Sequence, residues 1–249
     1  MQITFSIPSF FCLVLPSSKL KNFILRMMGW EVSSSCKIGF SWISAKKISM
    51  YDNVRIGSFN FISIERLILK RGANIGHLNK ITGPFWLVLG ERSSIGNENR
   101  VIRARKGVSW GKSILRLGYN SKITSGHIID CTRRIKFGDN SILAGRSSQL
   151  WTHGYLHAPS GEGRFRIDGA ISIGSNVYIG SACVINAGLR ISSGITVGAS
   201  SCVSSSLLDS GLYVSQPLRF IPLDYDSAFK RYSSVKVEGL VEDVKIKKW

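Results

Sequence analysis

Long apolar runs and paired cysteines are scarce in the 249-residue sequence, and both absences narrow the function classes. The five cysteines are Cys12, Cys36, Cys131, Cys183 and Cys202. They are odd in number and form no CxxC pair, which excludes a zinc ribbon or disulfide framework and favours a reducing cytoplasm. The apolar run at 3–15 contains Pro8 and is shorter than the ~20 residues of a membrane span. No basic residue precedes it and no cleavage site follows, so we expect no secretory signal.

Acidic residues are also few. The 33 basic and 15 acidic residues give 33 − 15 = +18, and the first 150 residues alone give 23 − 7 = +16. Residues 100–136 hold ten basic residues and one acid, Asp130. This charge fits an acidic glycan, a lipid-linked pyrophosphate sugar, a membrane surface or coenzyme A phosphates. We expect no nucleic-acid partner, because no RNP, KH or helix-turn-helix pattern accompanies the charge.

A six-residue repeat dominates the rest of the chain. Large aliphatic residues recur at Ile173, Ile179, Ile185, Ile191, Val197 and Val203. A small residue, often glycine, follows most of them, and a looser version of the rhythm extends back to Ile38. A period of six fits neither a helix nor a flat sheet. It predicts a β-solenoid of about eight coils over 36–205, in which three hexads make one coil of about 18 residues.

The rhythm breaks at 97–113, which is basic, and at 154–169, which is rich in glycine. An insertion in a solenoid must leave at a corner and project as a loop, where functional residues concentrate. We therefore predict three parts: an N-terminal amphipathic or capping segment at 1–35, the β-helix with its protruding loop at 36–222, and a C-terminal extension at 223–249.

The N-terminal segment contains a helical stripe with two interpretations. Its apolar members are Leu20, Phe23, Ile24, Met27 and Met28. Ser17 or Ser18 can cap the start of the helix, and Gly29 can end it. The stripe either covers the end of the core or lies on an anionic membrane, with Lys19, Lys21 and Arg26 on the other side.

Three stretches resemble the hexapeptide-repeat acyltransferases, the superfamily of left-handed parallel β-helix enzymes that includes the galactoside and maltose acetyltransferases. They are Trp151-Thr152-His153 before the protruding loop, the hexads of 173–181, and the ending Val214-Ser215-Gln216-Pro217-Leu218-Arg219-Phe220-Ile221. The resemblance is strongest over 149–222. It implies an all-β, left-handed parallel β-helix.

The resemblance also implies acetyl transfer from acetyl-CoA to a sugar, in a homotrimer with coenzyme A between adjacent solenoids. His153 matches the catalytic histidine. Five further residues match contacts to coenzyme A: Ser181, Ala199, Ser204, Ser205 and Arg219. Two departures weaken the match at the nucleotide, because Ser205 replaces a lysine and Ser215-Gln216 replaces Gly-Asn.

The chemistry also indicates His153 without the family. A sugar hydroxyl needs a base when it attacks a thioester, and an imidazole has a suitable pKa. His157 lies in the same loop, and His77 and His127 follow glycines, which predicts surface or turn positions for these two. Asp168 is the first carboxylate to test if a histidine base fails. No cysteine has an activated setting, so direct transfer is favoured over an acetyl-enzyme.

These observations predict an O-acetyltransferase of bacterial surface polysaccharide (O-antigen, capsule or exopolysaccharide), acting on a sugar or lipid-linked glycan in the cytoplasm or at the inner membrane face. The alternatives are an N-acetyltransferase on a nucleotide-linked amino sugar and a non-catalytic basic solenoid that binds an acidic polymer. A zinc site needs three converging histidines. His153, His157 and His127 are spaced too widely for one, so we expect no metal.

Overall fold

A computed structural model describes residues 7–16, 18–215, 225–235, 237, 239–240 and 244–247. Three sequence predictions lie outside these ranges: the role of Arg219, most of the ending that contains it, and the cap at Ser17.

The chain forms three helices and 26 strands within the described residues. The helices are α1 (Ile7–Val14), α2 (Ser18–Met27) and α3 (Tyr225–Arg231). Two segments leave the coil and are called the first excursion (103–113) and the second excursion (the hairpin that begins at His153). The strands up to the first excursion are β1 (Glu31–Val32), β2 (Lys37–Ile38), β3 (Trp42–Met50), β4 (Arg55–Ile56), β5 (Phe61–Leu69), β6 (Asn74–Ile75), β7 (Lys80–Leu89), β8 (Ser94–Ile95) and β9 (Arg100–Ile102). The strands up to the second excursion are β10 (Ile114–Leu117), β11 (Lys122–Ile123), β12 (Ile128–Asp130), β13 (Ile135–Phe137), β14 (Ile142–Leu143) and β15 (Gln149–Leu150). The remaining strands are β16 (His153–His157), β17 (Arg164–Asp168), β18 (Ile171–Ile173), β19 (Tyr178–Ile179), β20 (Val184–Ile185), β21 (Arg190–Ile191), β22 (Ile195–Val197), β23 (Cys202–Val203), β24 (Gly211–Tyr213), β25 (Ser233–Ser234) and β26 (Val244–Ile246).

Between β1 and β24 the chain winds as parallel coils, each pairing with the next in register. Ile56 pairs with Ile75, and Ile75 pairs with Ile95. The six aliphatic residues predicted to point inward from Ile173 to Val203 are all buried. Stacking these residues forms one continuous apolar core, because each coil alone leaves its inner face uncovered. The coils fit the predicted left-handed parallel β-helix, so the fold class is confirmed.

The small residue of each hexad lies where successive coils approach most closely. A Cβ atom added to Gly76 would lie 2.6 Å from the carbonyl oxygen of Gly96, one coil further on. Real Cβ contacts are not this short, so a larger residue here would force the coils apart.

A ladder of buried polar side chains follows one edge of the coil. The Oδ1 atom of Asn79 accepts the backbone N–H of Asn99 at 2.9 Å, and that of Asn99 accepts the backbone N–H of His127 at 3.0 Å. His127 is fully buried, and its Nδ1 atom accepts the backbone N–H of Ser148. Burial lowers the pKa of His127 to about 4. The predicted surface or turn position of His127 is therefore wrong, because this histidine continues an asparagine ladder.

Both interruptions leave the coil at the same corner. β9 and β15 each pair with β12, and β10 and β18 each pair with β13, so both excursions depart and return between the same two faces. The first spans 103–113, since β9 continues the coil to Ile102. The second is an antiparallel hairpin of β16 and β17, and β26 of the C-terminal extension pairs with β17. The extension therefore supports the hairpin.

The N-terminal segment forms two helices, although the sequence predicted only the second. α2 buries Lys21, Asn22 and Leu25 and exposes Leu20, Phe23 and Met27. The helix covers the first coil, as one of the two interpretations expects, but three of the five stripe residues are exposed and only Ile24 and Met28 are half-buried. None of the described helices is long and apolar enough to cross a bilayer.

Candidate active site

His153 lies where the chain leaves the coil and enters the hairpin, directly above a carboxylate of the preceding coil. Ile129 in β12 pairs with Leu150 in β15, so Asp130 at the end of β12 faces the departing segment. The Nδ1 atom of His153 lies 2.9 Å from Oδ2 of Asp130. The side chain of His153 is 26% exposed, whereas that of Asp130 is only 4% exposed. A buried acid thus holds a solvent-accessible imidazole.

Four further hydrogen bonds fix the carboxylate of Asp130. Its Oδ1 atom accepts the backbone N–H and the hydroxyl of Thr132, and its Oδ2 atom accepts the backbone N–H and the hydroxyl of Thr152. Burial raises the pKa of Asp130, but the hydrogen bonds from His153, Thr152 and Thr132 outweigh burial and hold this pKa below its ordinary value. The group is therefore an anion at neutral pH.

The charged carboxylate determines which imidazole nitrogen is available. An ionised carboxylate only accepts hydrogen bonds, so Nδ1 of His153 must carry the ring proton. Nε2 of the neutral ring is then unprotonated and can accept a proton. Burial lowers the pKa of His153, but the hydrogen bond and charge of Asp130 outweigh it and raise the pKa above the ordinary 6.5. As in hydrolases with a catalytic histidine, a carboxylate holds the imidazole in one tautomer and orientation and stabilises its protonated form.

A second carboxylate lies opposite His153 across the hairpin, but other groups hold its oxygens. Asp168 is fully buried and pairs in register with His153. Its Oδ1 atom accepts Nε of Arg166 at 2.8 Å, and its Oδ2 atom accepts the indole N–H of Trp110 at 2.8 Å. Burial raises the pKa of Asp168, and Arg166 and Trp110 only partly offset this. Asp168 therefore joins the hairpin to the first excursion and is poorly placed to take a proton from a substrate.

Three arginines hold the first excursion beside the site. Arg103 is buried and donates to the carbonyl oxygens of Trp110 and Gly111 at 2.8 and 2.7 Å. The guanidinium of Arg133 lies 3.8 Å from the centre of the Trp110 ring, and Arg166 donates to the carbonyl of Val108. Part of the positive charge of 100–136 is thus structural. The exposed cations around this corner include Arg105, Lys106, Lys112 and Arg134.

The hairpin extends the site outward from His153. Tyr155 lies two positions further along β16, and its ring contacts the His153 ring edge-on, with 6.0 Å between centroids. Arg164 is exposed and lies over the Tyr155 ring, 5.5 Å from its centroid. His157 pairs with Arg164 and is also exposed. An exposed aromatic ring and a cation next to an imidazole can bind a sugar that bears a negative charge.

The residues matched to coenzyme A contacts lie on two different edges of the coil. Ser181 and Ala199 share one corner, where the N–H of Ser200 donates to the carbonyl of Ser181. Ser204 and Ser205 follow β23, on the edge that carries His153. One face of about six residues separates the two edges, which is roughly 20 Å. Within one chain, the structure therefore does not bring His153 and Ser181 together.

Asp130 is the residue that the sequence reasoning missed as functional. It precedes His153 by 23 positions, whereas Ile129 pairs with Leu150 after 150 − 129 = 21 positions, so the coil spacing alone does not align the two. Two signals were present. Asp130 is the only acid among ten bases in 100–136, and it directly follows the inward-pointing Ile129.

The described residues hold no group of three or more His, Cys, Asp or Glu side chains that could bind a metal ion. The buried cysteines are not activated as nucleophiles. Burial raises the pKa of Cys131 well above its ordinary value and also raises that of Cys183. A thiol that stays protonated is a weak nucleophile, so the imidazole is the reactive group of this corner.

No protein-family model matches the chain, and no curated protein matches it. Solved structures similar to it include the polysialic-acid-specific acetyltransferase NeuO, with 18% identity, 73% of each chain covered and a TM-score of 0.46. The polysialic acid O-acetyltransferase OatWY has 13% identity, covers 81% of this chain and 91% of its own, and has a TM-score of 0.47. AntD, an N-acyltransferase from Bacillus cereus, has 18% identity, coverages of 84% and 92%, and a TM-score of 0.31. Because these identities and TM-scores are low, the chemistry of this chain has to be argued from its own residues.

Proposed function

We propose that the protein is an acyl-CoA-dependent acyltransferase that moves an acetyl group from acetyl-CoA to a sugar hydroxyl of a bacterial surface polysaccharide. The observation that carries the proposal is the His153 imidazole, held through Nδ1 by the buried Asp130 at the mouth of a protruding hairpin. The resemblance of Trp151-Thr152-His153 to the acyltransferase motif supports the same reaction.

The proposed reaction uses this geometry. Nε2 of His153 takes the hydroxyl proton while the sugar oxygen attacks the thioester carbonyl, which forms a tetrahedral oxyanion. The charge of Asp130 stabilises the imidazolium. The intermediate then collapses, the carbon–sulfur bond breaks, and the leaving thiolate takes the proton from the imidazolium. The products are the acetylated sugar and free coenzyme A, with the histidine neutral again.

The separation of the two edges supports a shared site between copies of the chain. The proposed cofactor contacts are Ser181, Ala199, Ser204, Ser205 and Arg219. If the Ser181 corner of one copy meets the His153 corner of its neighbour, a thioester held at the first lies within reach of the second. A homotrimer achieves this three times around one axis.

We therefore expect light scattering to give a mass of about 82 kDa, since 3 × 27.5 kDa = 82.5 kDa. A monomer of about 27 kDa at micromolar concentration would contradict the shared site.

Ala199→Trp is a useful second measurement, because Ala199 is exposed. A tryptophan there should raise the KM for acetyl-CoA at least tenfold and leave the fold intact.

A nucleotide-linked amino sugar is the second candidate acceptor, and one observation favours it. A cavity of about 320 Å³ beside the first excursion is lined by Lys112, Arg133 and Arg134. Arg133 also donates its backbone N–H to Thr152, next to His153. The three cations of this cavity could bind a diphosphate, and an amine would then be the acetyl acceptor.

Mass spectrometry of surface glycans from cells with and without the gene separates the candidates. Loss of one acetyl group from the polysaccharide supports the O-acetyltransferase. Loss of acetyl from the nucleotide-sugar pool supports the N-acetyltransferase. Unchanged glycans and pools would contradict both.

We place the reaction in the cytoplasm, at the inner face of the membrane, because acetyl-CoA and lipid-linked glycan precursors meet there.

A further inference from the structure

We propose that α1 and α2 form a docking surface that lies on an anionic lipid bilayer without crossing it. The surface consists of the exposed apolar side chains of the two helices. They are Ile7, Phe10, Leu13, Val14, Leu20, Phe23 and Met27. Phe23 is 55% exposed and Met27 is 74% exposed, which is unusual for large apolar residues on neighbouring turns of one helix.

The opposite side of the helices attaches them to the coil, with Cys12 and Leu25 fully buried in the apolar core and polar side chains hydrogen-bonded beside them. Nζ of Lys21 donates to the carbonyl oxygens of Ile38 and Gly39 at 3.0 and 2.9 Å, and Nδ2 of Asn22 donates to that of Cys36 at 2.7 Å. In α1, the hydroxyl of Ser9 donates to the carbonyl of Ile43.

An ordinary surface helix buries its apolar stripe and exposes its lysines, whereas α2 buries Lys21 and exposes Phe23 and Met27. The anchors satisfy carbonyl groups at the open end of the first coil, where no further coil can pair with them. The seven exposed apolar side chains are therefore not needed for attachment and lie on the side away from the coil, while Ile24 and Met28 are half-buried.

The positive charge of the segment favours an anionic bilayer as the binding partner of the docking surface. Residues 7–30 contain Lys19, Lys21 and Arg26 and no Asp or Glu. Lys19 and Arg26 are exposed on α2, beside the apolar stripe. Apolar side chains that enter the acyl boundary and cations that meet anionic headgroups are the two components of interfacial helix binding. A second copy fits less well, because a symmetric contact would set Lys19 and Arg26 against the same cations of its partner.

Vesicle co-sedimentation of the full-length protein tests the proposal. We expect binding to vesicles of phosphatidylcholine with 30% phosphatidylglycerol, and binding at least tenfold weaker to phosphatidylcholine alone. The double variant Phe23→Ser/Met27→Ser should bind the anionic vesicles at least tenfold more weakly, and Lys19→Glu/Arg26→Glu should do the same. Both variants should keep the wild-type Tm, because the altered side chains are exposed.

Leu212→Ser is the matched control, since Leu212 is 69% exposed on β24 at the far end of the coil. This variant should bind like the wild type. Wild-type binding by Phe23→Ser/Met27→Ser, or equal loss in Leu212→Ser, would overturn the proposal. A change in the light-scattering mass of the double variant without lipid would assign the face to a second copy and overturn it too. Acetyl transfer to a soluble acceptor is a separate readout, so failure here is distinguishable from failure of the proposed function.

Discussion

Replacement of His153 by alanine should lower kcat by about 10²–10⁴-fold, the usual contribution of a positioned general base. The KM for acetyl-CoA should change little, because no contact to the cofactor is assigned to the imidazole. Steady-state kinetics of thiol release from acetyl-CoA, with the acceptor in excess, measures both quantities.

His157→Ala is the matched control for this prediction. His157 lies on the same strand and is exposed, but it lies four pairs further along the hairpin than His153, which contacts Asp130. We expect less than a tenfold loss of kcat. A dispensable His153 and an essential His157 would show that the alignment of Trp151-Thr152-His153 is wrong. Full activity in both variants would exclude a histidine base.

Asp130→Asn should lower the maximal kcat by about 10²–10⁴-fold while His153 remains in place. An amide N–H directed at Nδ1 stabilises the tautomer whose proton sits on Nε2, and that tautomer cannot act as the base.

The same variant should lose some stability, because an amide cannot accept hydrogen bonds on both of its terminal atoms as the carboxylate does. We expect a lower Tm and a destabilisation of about 1–3 kcal/mol.

The pH profile separates this positioning role from a structural one. The neutral imidazole is the active form, and Asp130 raises the pKa of His153 above 6.5. The wild-type kcat should therefore fall as the pH drops through that raised pKa. Without the carboxylate the pKa falls, so the residual activity of Asp130→Asn should persist to lower pH.

Thr132→Ala supplies the control for the pH profile. It removes a hydroxyl that donates to Oδ1 of Asp130 and leaves intact the hydrogen bond that Nδ1 of His153 donates to Oδ2. A lower Tm with an almost unchanged acid limb is expected for this variant. If Asp130→Asn shows the same pattern, Asp130 supports the fold alone.

The coil itself could be predicted from the sequence because its physics is local and periodic. A large aliphatic residue every six positions predicts an inward stack, and Ile179 and Ile185 are fully buried as expected. The exit point of the second excursion could also be predicted, because a broken hexad must leave at a corner. The first excursion begins at 103 and not at the predicted 97, because β9 continues the coil to Ile102.

The partners across coils could not be predicted in this way. Asp130 meets His153 because the chain leaves the coil after β15 and places His153 over the end of β12, and the repeat does not encode where that departure begins. His127 follows a glycine like a turn residue, yet it occupies the ladder position of Asn99. Asparagines at 60, 79 and 99, nearly one coil apart, were the available signal.

The orientation of α2 shows a further limit. Periodicity identifies the apolar face of a helix, but it does not say which face meets the protein. Here unpaired carbonyl groups at the open end of the coil bind Lys21 and Asn22, and hydrogen bonding to them turns the apolar face outward. A pattern based on hydrophobicity alone predicts the opposite side.

The most direct test of the central claim is acetyl transfer by the purified full-length protein. The acceptor is surface polysaccharide extracted from cells that lack the gene, and the donor is acetyl-CoA labelled in the acetyl group. The account predicts label in the polysaccharide as an alkali-labile ester, with release of free coenzyme A, and at least a hundredfold slower transfer by His153→Ala. Release of coenzyme A without labelled polysaccharide, or equal transfer by His153→Ala, would contradict it.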